Sequence, residues 1–346
     1  MSLFIYLNLR NLLYLTGPLA GARRRRPGEL TFRFRCVLRF PSRTFIMKKK
    51  RGGRTMDDNT KMILEKLRRE LREADRVLVG AGAGLSASAG LSYLDSAVFE
   101  KYFPEMYRLG YRCQYELVGM KDDEWSVGRK WAYWATHIHY VREILPPLPL
   151  YAELRALLEG KDWFVVTSNA DRQFYRSGFP MERVFEYQGS YDVLRCKDRC
   201  TEHTWESLPA LREVLKHIDR ETFECREEGL PRCPYCGGLA EIAFRPENYE
   251  EGWNRYAGFV NSSVDMRLCI IELGVGFNTP GVIRWPFEKI TRGIPGATLF
   301  RVNRGYEEYV NHKGYPNVPK DLDGVRAFSL PCDAGEVIHA LSAATD

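Results

Sequence analysis

At 346 residues, 45% of them hydrophobic, the chain is long enough for one large domain or two smaller ones, and no run is long and apolar enough to span a bilayer. The net charge of +6 misdescribes the body of the chain: residues 1–56 hold fourteen Lys/Arg against Glu29 alone, and the remainder holds 37 Lys/Arg against 44 Asp/Glu, which excludes a basic, nucleic-acid-seeking protein. Nine cysteines without a secretory signal point to a reducing compartment, where clustered cysteines bind metal more often than they pair.

The chain opens on MSLFIYLNLRNLLYLTG, an apolar stretch interrupted by Asn8, Arg10 and Asn11 and followed by the Arg23–Arg26 block, the reverse of the order in a secretory signal. Met47 and Met56 stand just before the first well-formed helix. Residues 1–56 therefore read as a disordered, over-extended start, which places the protein in the cytoplasm. An Arg-rich, nearly acid-free mitochondrial presequence is the alternative.

From Asn59 to Ala74 the spacing of Ile63, Leu64, Leu67, Leu71 and Ala74 predicts one apolar helical face. RVLVGAG (76–82) reads as a buried strand entering a glycine turn. DWFVVTSN (162–169), RVFEYQG (183–189), RLCIIELGVG (267–276), ATLFRVN (297–303) and VRAFSLPCD (325–333) are further apolar runs with turn endings, separated by helical stretches that include 149–159 and 335–343. The alternation predicts an α/β fold, a Rossmann-like parallel sheet with helices on both faces. Residues 57–112, 146–195 and 263–346 are assigned to this sheet domain. Residues 113–145, rich in aromatics (Trp125, Trp131, Tyr133, Trp134, Tyr140), and 196–262, with the clustered cysteines, read as insertions forming a small zinc-binding and helical lobe.

Three motifs carry chemistry. GAGAGLSASAG (80–90) lies between a strand and a helix, and its small residues let backbone N–H groups approach a phosphate; Leu85 falls where an ordinary dinucleotide fingerprint has its third glycine, and a tight packing turn is the simpler alternative. TSNADRQF (167–174) closes a strand with Asn169 and Asp171, which offer an amide and a carboxylate to one ligand, or a local Asx turn. Cys196-x3-Cys200 and Cys233-x2-Cys236 have the spacing of a tetrahedral structural zinc site, with Pro234 and the Gly237-Gly238 pair supplying the turn. The alternatives are four unrelated thiols, or His203 or Cys225 as a substitute ligand. His137 and His139 read as packing or surface residues.

In order and spacing, GAGAGLS, SNAD, YQG, the two cysteine pairs, ELGVG and VNRG resemble the sirtuin family over about residues 57–346. AYWATHIHYVR (132–142), YQGSYDVLRC (187–196), EEGWNRY (250–256) and ELGVGFNTPGVIRWPF (272–287) are most similar to the class M branch, which is linked to macrodomain proteins. The resemblance implies NAD in a cleft between the two lobes. Gly80, Ala81, Gly82 and Ser86 would lie in its phosphate loop, Asn169 by the nicotinamide ribose and Asp171 on the carboxamide. Gly274 and Gly276 would form a phosphate-side turn, Asn303 would contact the adenosine ribose, Cys332 and Asp333 would pass the adenine, and Asp95 would belong to the cofactor loop.

Two departures from the family majority bear on activity. Gln188 stands where a histidine base is usual, and AFRPENYEEGW (243–253) lacks the Val-x-Phe strand that pairs with an acyl-lysine peptide. Glutamine cannot take a proton near neutrality but can donate and accept hydrogen bonds. The resemblance thus implies an NAD-dependent protein ADP-ribosyltransferase, with Asn169, Asp171 and Gln188 as its catalytic residues. A lipoylated carrier similar to the glycine-cleavage H protein is the implied acceptor, and a macrodomain hydrolase the implied separate partner. A deacylase with an unusual base and a silent NAD or ADP-ribose sensor are the alternatives.

Overall fold

The computed structural model describes residues 56–346 apart from 118–124, 246–247, 278, 305–315 and 344–346. The basic stretch 1–55, with its expected disorder and its reading as a presequence, lies outside the described residues.

The first helix, α1 (Asp58–Glu73), buries Ile63, Leu64, Leu67 and Leu71, the face that the periodicity predicts. It leads into β1 (Arg76–Ala81), which runs parallel to β2 (Asp162–Thr167), itself parallel to the short β3 (Val184–Glu186). Next come the small strands β4 (Val193–Cys196), β5 (Thr204–Glu206), β6 (Ile218–Asp219), β7 (Glu224–Cys225) and β8 (Ala240–Ile242). The chain then returns to the main sheet through β9 (Leu268–Leu273), β10 (Ala297–Val302) and β11 (Ala327–Leu330). The main sheet has the order β11-β10-β9-β1-β2-β3, with every neighbouring pair parallel.

Counted along the chain within that sheet, the order is 3-2-1-4-5-6, and the winding reverses between β1 and β9. All six residues of β9 are buried, as are five of the six in β1 and in β2, which is why these strands read as unbroken apolar runs. The register puts Glu186, Thr167, Ala81, Leu273, Val302 and Leu330 in one row, so all six strands end at the same edge of the sheet.

The remaining α-helices among the described residues are α2 (Ala83–Ser88), α3 (Ser96–Tyr102), α4 (Pro104–Arg108), α5 (Val127–His139), α6 (Pro149–Leu157), α7 (Gln173–Arg176), α8 (Leu208–Lys216), α9 (Tyr249–Asn261), α10 (Arg284–Gly293) and α11 (Ala334–Ser342). A π-helical turn, Tyr140–Ile144, extends α5. None of the described helices is long and apolar enough to cross a membrane.

An apolar core apart from the main sheet gathers Trp131, Tyr133 and Ile138 of α5, Leu211 and Val214 of α8, Leu194, Phe223 and Ile242, together with Phe99, Phe103 and Met106. The antiparallel sheet β5-β4-β8 covers it and carries the cysteines. Of the aromatic letters of 125–140, Trp131 and Tyr133 are thus core residues, and Trp125 and Trp134 pack against them partly buried. His137 shares their burial: desolvation holds its ring neutral, pushed down to about 3, and its Nδ1 accepts a hydrogen bond from Gln114 Nε2 at 3.0 Å.

Candidate active site

Because the six strands end in one row, the loops that follow them gather along one edge, and the singled-out residues of the sheet domain, Asp95 and Gly80 apart, fall at or just past a strand end. Thr167, the last residue of β2, donates its hydroxyl to the Ala81 carbonyl and accepts the Asn169 N–H, both at 3.0 Å. This turns the Asn169 side chain toward β1. Asn169 Nδ2 donates to the Gly82 carbonyl and to Ser86 Oγ, each at 3.0 Å. Ser86 Oγ donates to Asp171 Oδ2 at 2.6 Å and lies 2.7 Å from the Tyr151 hydroxyl, while Asp171 Oδ1 accepts the Gln173 N–H at 3.0 Å.

Ser86, Asn169, Asp171 and Tyr151 are all buried. Burial raises the Asp171 carboxyl above the usual carboxylate range, and its hydrogen bonds from Ser86 and Gln173, with the charge of Arg142, act against the rise. Ser86 is thus the hub of a polar cluster beneath the glycine turn. Tyr151 has no motif around it and was not singled out from the sequence.

The two glycine turns are packed backbone on backbone. A Cβ on Gly82 would come within 2.6 Å of the Gly274 carbonyl oxygen, and one on Gly84 within 2.6 Å of the Gly274 Cα; Gly274 itself has φ 62°. Side chains at any of the three would push the ends of β1 and β9 apart where the winding reverses. Gly276 has open space around it, and Asn303 Nδ2 holds the Val275 carbonyl at 3.0 Å. Gly80 faces the other way, against Phe287 and Ile283, so its small size serves the seating of α10. The Asp95 carboxylate caps α3 through the N–H groups of Ala97 and Val98, and Asp333 forms a capping box with Glu336 at the start of α11, just after the buried Cys332.

Gln188 sits exposed in the turn after β3. Gly189 has φ 81°, and a Cβ there would overlap the Phe244 carbonyl oxygen, which accepts the Ser190 N–H at 2.9 Å. The segment that departs from the acyl-peptide pattern therefore lies directly over this turn. On the other side the Tyr249 hydroxyl donates to the Tyr187 carbonyl at 2.6 Å, and the rings of Tyr249, Trp253 and Tyr256 pack around Phe185, with Gly252 leaving room for that ring.

Beneath the 274–276 turn lies a buried ionic network with no counterpart in the sequence reading. Arg301 pairs with Glu272 through Nε at 2.9 Å and Nη2 at 3.0 Å, and with Glu288 at 3.0 Å. Arg284 lies 3.4 Å from Glu272 and donates to the Val275 carbonyl at 3.0 Å. Glu272, Arg284 and Arg301 are fully buried.

In the segments next to β4 and β8, the Sγ atoms of Cys196, Cys200, Cys233 and Cys236 all lie within 4.8 Å of one another, with Cys196 and Cys236 at 3.7 Å and Cys200 and Cys233 at 3.6 Å. A tetrahedral zinc with Zn–S bonds of about 2.3 Å requires sulfurs roughly 3.8 Å apart, so the four suit one closed, structural site. The Tyr235 and Gly238 N–H groups point at Cys233 Sγ and Cys236 Sγ at 3.4 Å, the donors that a thiolate knuckle uses.

The doubly wound parallel sheet, with a polar cluster past the ends of β1 and β2 and a four-cysteine knuckle beside β4 and β8, defines an α/β protein of the class that binds ligands outside such strand ends. No protein-family model matches the chain. Among solved structures it is similar to a Sir2 homolog–NAD complex, with a TM-score of 0.50 and 20% identity over 84% of this chain and 94% of that one. It is 36% identical over 254 residues to a Fusarium oxysporum f. sp. cubense protein named "Probable bifunctional ADP-ribose hydrolase/ADP-ribosyltransferase", covering 69% of this chain but only 42% of that protein's length. It is 29% identical over 262 residues to a "Protein ADP-ribosyltransferase" of Staphylococcus aureus strain Mu50, covering 72% of this chain and 80% of the relative. The chain thus shares the fold of the Sir2 homolog and has sequence relatives named for ADP-ribosyl transfer.

Proposed function

We propose that the chain is an NAD-dependent protein ADP-ribosyltransferase of sirtuin type. The observation that carries this reading is the make-up of the site around Gln188: the turn offers an exposed amide, and both oxygens of the Asp171 carboxylate are engaged by Ser86 and the Gln173 N–H. Deacylation needs a base to activate a ribose hydroxyl, and an amide is none. Breaking the glycosidic bond of NAD needs less: a held leaving group and stabilised positive charge on the sugar. The names carried by the Fusarium and Staphylococcus relatives support transfer.

In this reading the dinucleotide lies along the row of strand ends. The backbone of 82–84 and 274–276 faces its phosphates, Asn303 its adenosine side, and Asn169 and Asp171 its nicotinamide ribose and carboxamide. The carbon–nitrogen bond to nicotinamide breaks with its electron pair leaving on the nicotinamide nitrogen. The nucleophile of the acceptor forms the new bond to the sugar carbon and gives its proton to solvent. Asn169 and Gln188 orient the sugar and the acceptor by hydrogen bonds, and Asp171, whose ionised form the Ser86 hydroxyl favours against the effect of burial, balances the developing charge.

The acceptor is a protein. From the class M resemblance we further read it as a lipoylated carrier, with a macrodomain hydrolase on a separate chain as the enzyme that removes the modification. The two activities in the name of the Fusarium relative support such a pairing.

Incubating the full chain with NAD labelled in its adenylate half and a lipoylated carrier should put label on protein and release an equal amount of nicotinamide. Gln188→His should not gain deacylation, because the 243–245 segment is spent on the turn itself. Efficient NAD-dependent acyl loss from an acylated peptide, with no label on protein, would overturn the assignment.

A further inference from the structure

The turn that carries Gln188 is joined to the loop that carries Asn169 and Asp171 by a chain of ion pairs. Arg142, in the π-helical turn Tyr140–Ile144, places Nη1 2.8 Å from Asp192 Oδ1 and donates Nη2 to the carbonyl of Ala170, the residue between Asn169 and Asp171, at 3.2 Å. Arg172, the residue after Asp171, places Nε 2.8 Å from Asp192 Oδ2 and Nη1 3.0 Å from Glu186 Oε2. Asp192 therefore bridges two arginines from two different elements, and Glu186 and Asp192 flank Gln188 on either side.

The side chains of Arg142 and Glu186 are only 10% and 12% exposed, so solvent screens these pairs weakly. Arg172 holds them with φ 59°, a left-handed conformation that a residue with a Cβ adopts only under constraint and that recurs at functional sites. The π-helical turn that aims Arg142 is likewise a local irregularity typical of such sites. Tyr249 and Phe244 fasten the Gln188 turn to α9 and to the 243–245 segment, whereas these two arginines fasten it by their side chains to the loop of Asn169 and Asp171.

We propose that Arg142 and Arg172 are positioning residues, a double clamp acting through Asp192 and Glu186 that sets Gln188 against Asn169 and Asp171 for the bond-breaking step. This rests on the transferase reading. It also gives the site a pH dependence that packing alone would not. Burial pushes the Glu186 carboxyl up to about 7, with Arg172 acting against the rise and Asp192 adding to it; Arg142 is the other charged group facing it. Below that pH Glu186 is protonated and its pair with Arg172 loses its charge, so the clamp slackens as pH falls.

The test measures nicotinamide release, label transfer and NAD binding by the full chain. Arg142→Gln should lower kcat by about 10- to 100-fold, the cost of a small misplacement of reacting groups, with KM for NAD changed by less than about threefold. Arg142→Lys, which keeps the charge on Asp192, should recover part of the loss. Adding Asp192→Asn to Arg142→Gln should cost less than the product of the two single losses, since the pair they share is lost only once, although Asp192→Asn also releases Arg172. The wild-type rate should fall as pH drops through about 7, and Glu186→Gln should abolish that limb. A wild type that transfers label while Arg142→Gln does so at unchanged kcat, or loses only NAD affinity, overturns the clamp. A wild type that labels no protein overturns the transferase reading, and the clamp falls with it.

Discussion

One serine hydroxyl organises the candidate site. Ser86 Oγ meets Asp171, Asn169 and Tyr151 at once, so its removal is felt by three buried polar groups rather than one. Its O–H favours the ionised form of Asp171, whose carboxyl burial already pushes upward. In Ser86→Ala that restraint is gone and the carboxyl rises further, so in a Glu186→Gln background, which lacks the limb near 7, the remaining acid limb of the rate–pH profile should move to higher pH. Stability should fall by about 1–3 kcal/mol, the cost of leaving buried partners unsatisfied. Both are measurable on one preparation, by pH-dependent nicotinamide release and by urea unfolding. A limb that stays in place would show that the rate does not depend on the ionisation of Asp171.

Among the elements, the cysteine knuckle and the turn after β3 are shaped by different constraints. The turn is dictated by backbone proximity: Gly189 is required because the Phe244 carbonyl occupies the space where a Cβ would sit. The knuckle is dictated by four sulfurs, two buried and two exposed, on a sheet of only three short strands. Such an element gains much of its stability from a bound ion. Purified protein should hold about one zinc per chain, and replacing Cys233 and Cys236 with Ser should remove it and lower Tm by roughly 10 °C or more, as several kcal/mol of metal-binding free energy are lost to the fold. Elemental analysis and calorimetry check the two halves; a metal-free protein with unchanged Tm would count against a structural ion.

Across the whole molecule, charge has been taken into the core at a specific place. Glu272, Arg284 and Arg301 are fully buried where β9, β10 and α10 meet, and Arg284 passes the constraint on to the Val275 carbonyl, which Asn303 also holds. The ends of β9 and β10 are thereby tied together from below. A buried pair is poor evidence of net stability, but removing one partner leaves charge uncompensated, which costs about 3–5 kcal/mol. Glu272→Ala should show a loss of that size in chemical unfolding. A Glu272→Met, Arg301→Met double variant should lose less than the single variant, and the reverse order would mean that the ion pair itself contributes net stability.

Much of the main sheet was legible because parallel strands covered on both faces must be apolar at nearly every position, and such runs survive in one dimension as RVLVGA, DWFVVT and LCIIEL. The cysteine spacing was legible because two close pairs restrict the geometry before any fold is known, and the ends of the apolar runs marked the loops in which Asn169, Asp171 and Gln188 lie and the turn that leads into the helix of Ser86. Tyr151, the Arg142–Asp192–Arg172–Glu186 chain and the Glu272–Arg301 network were not legible. Each joins residues that look ordinary in their own stretch: a tyrosine in a helix, an arginine at the end of an aromatic segment, a single arginine inside ATLFRVN. Their partners lie across the fold, and the sequence records a polar letter without recording what it faces. The same limit hid the role of Gly80, which its motif groups with the phosphate turn and which the structure sets against Phe287. Local propensity and burial pattern are written residue by residue; which polar groups meet at the edge where the strands end was decided only when β1, β2, β3 and β9 were brought into register.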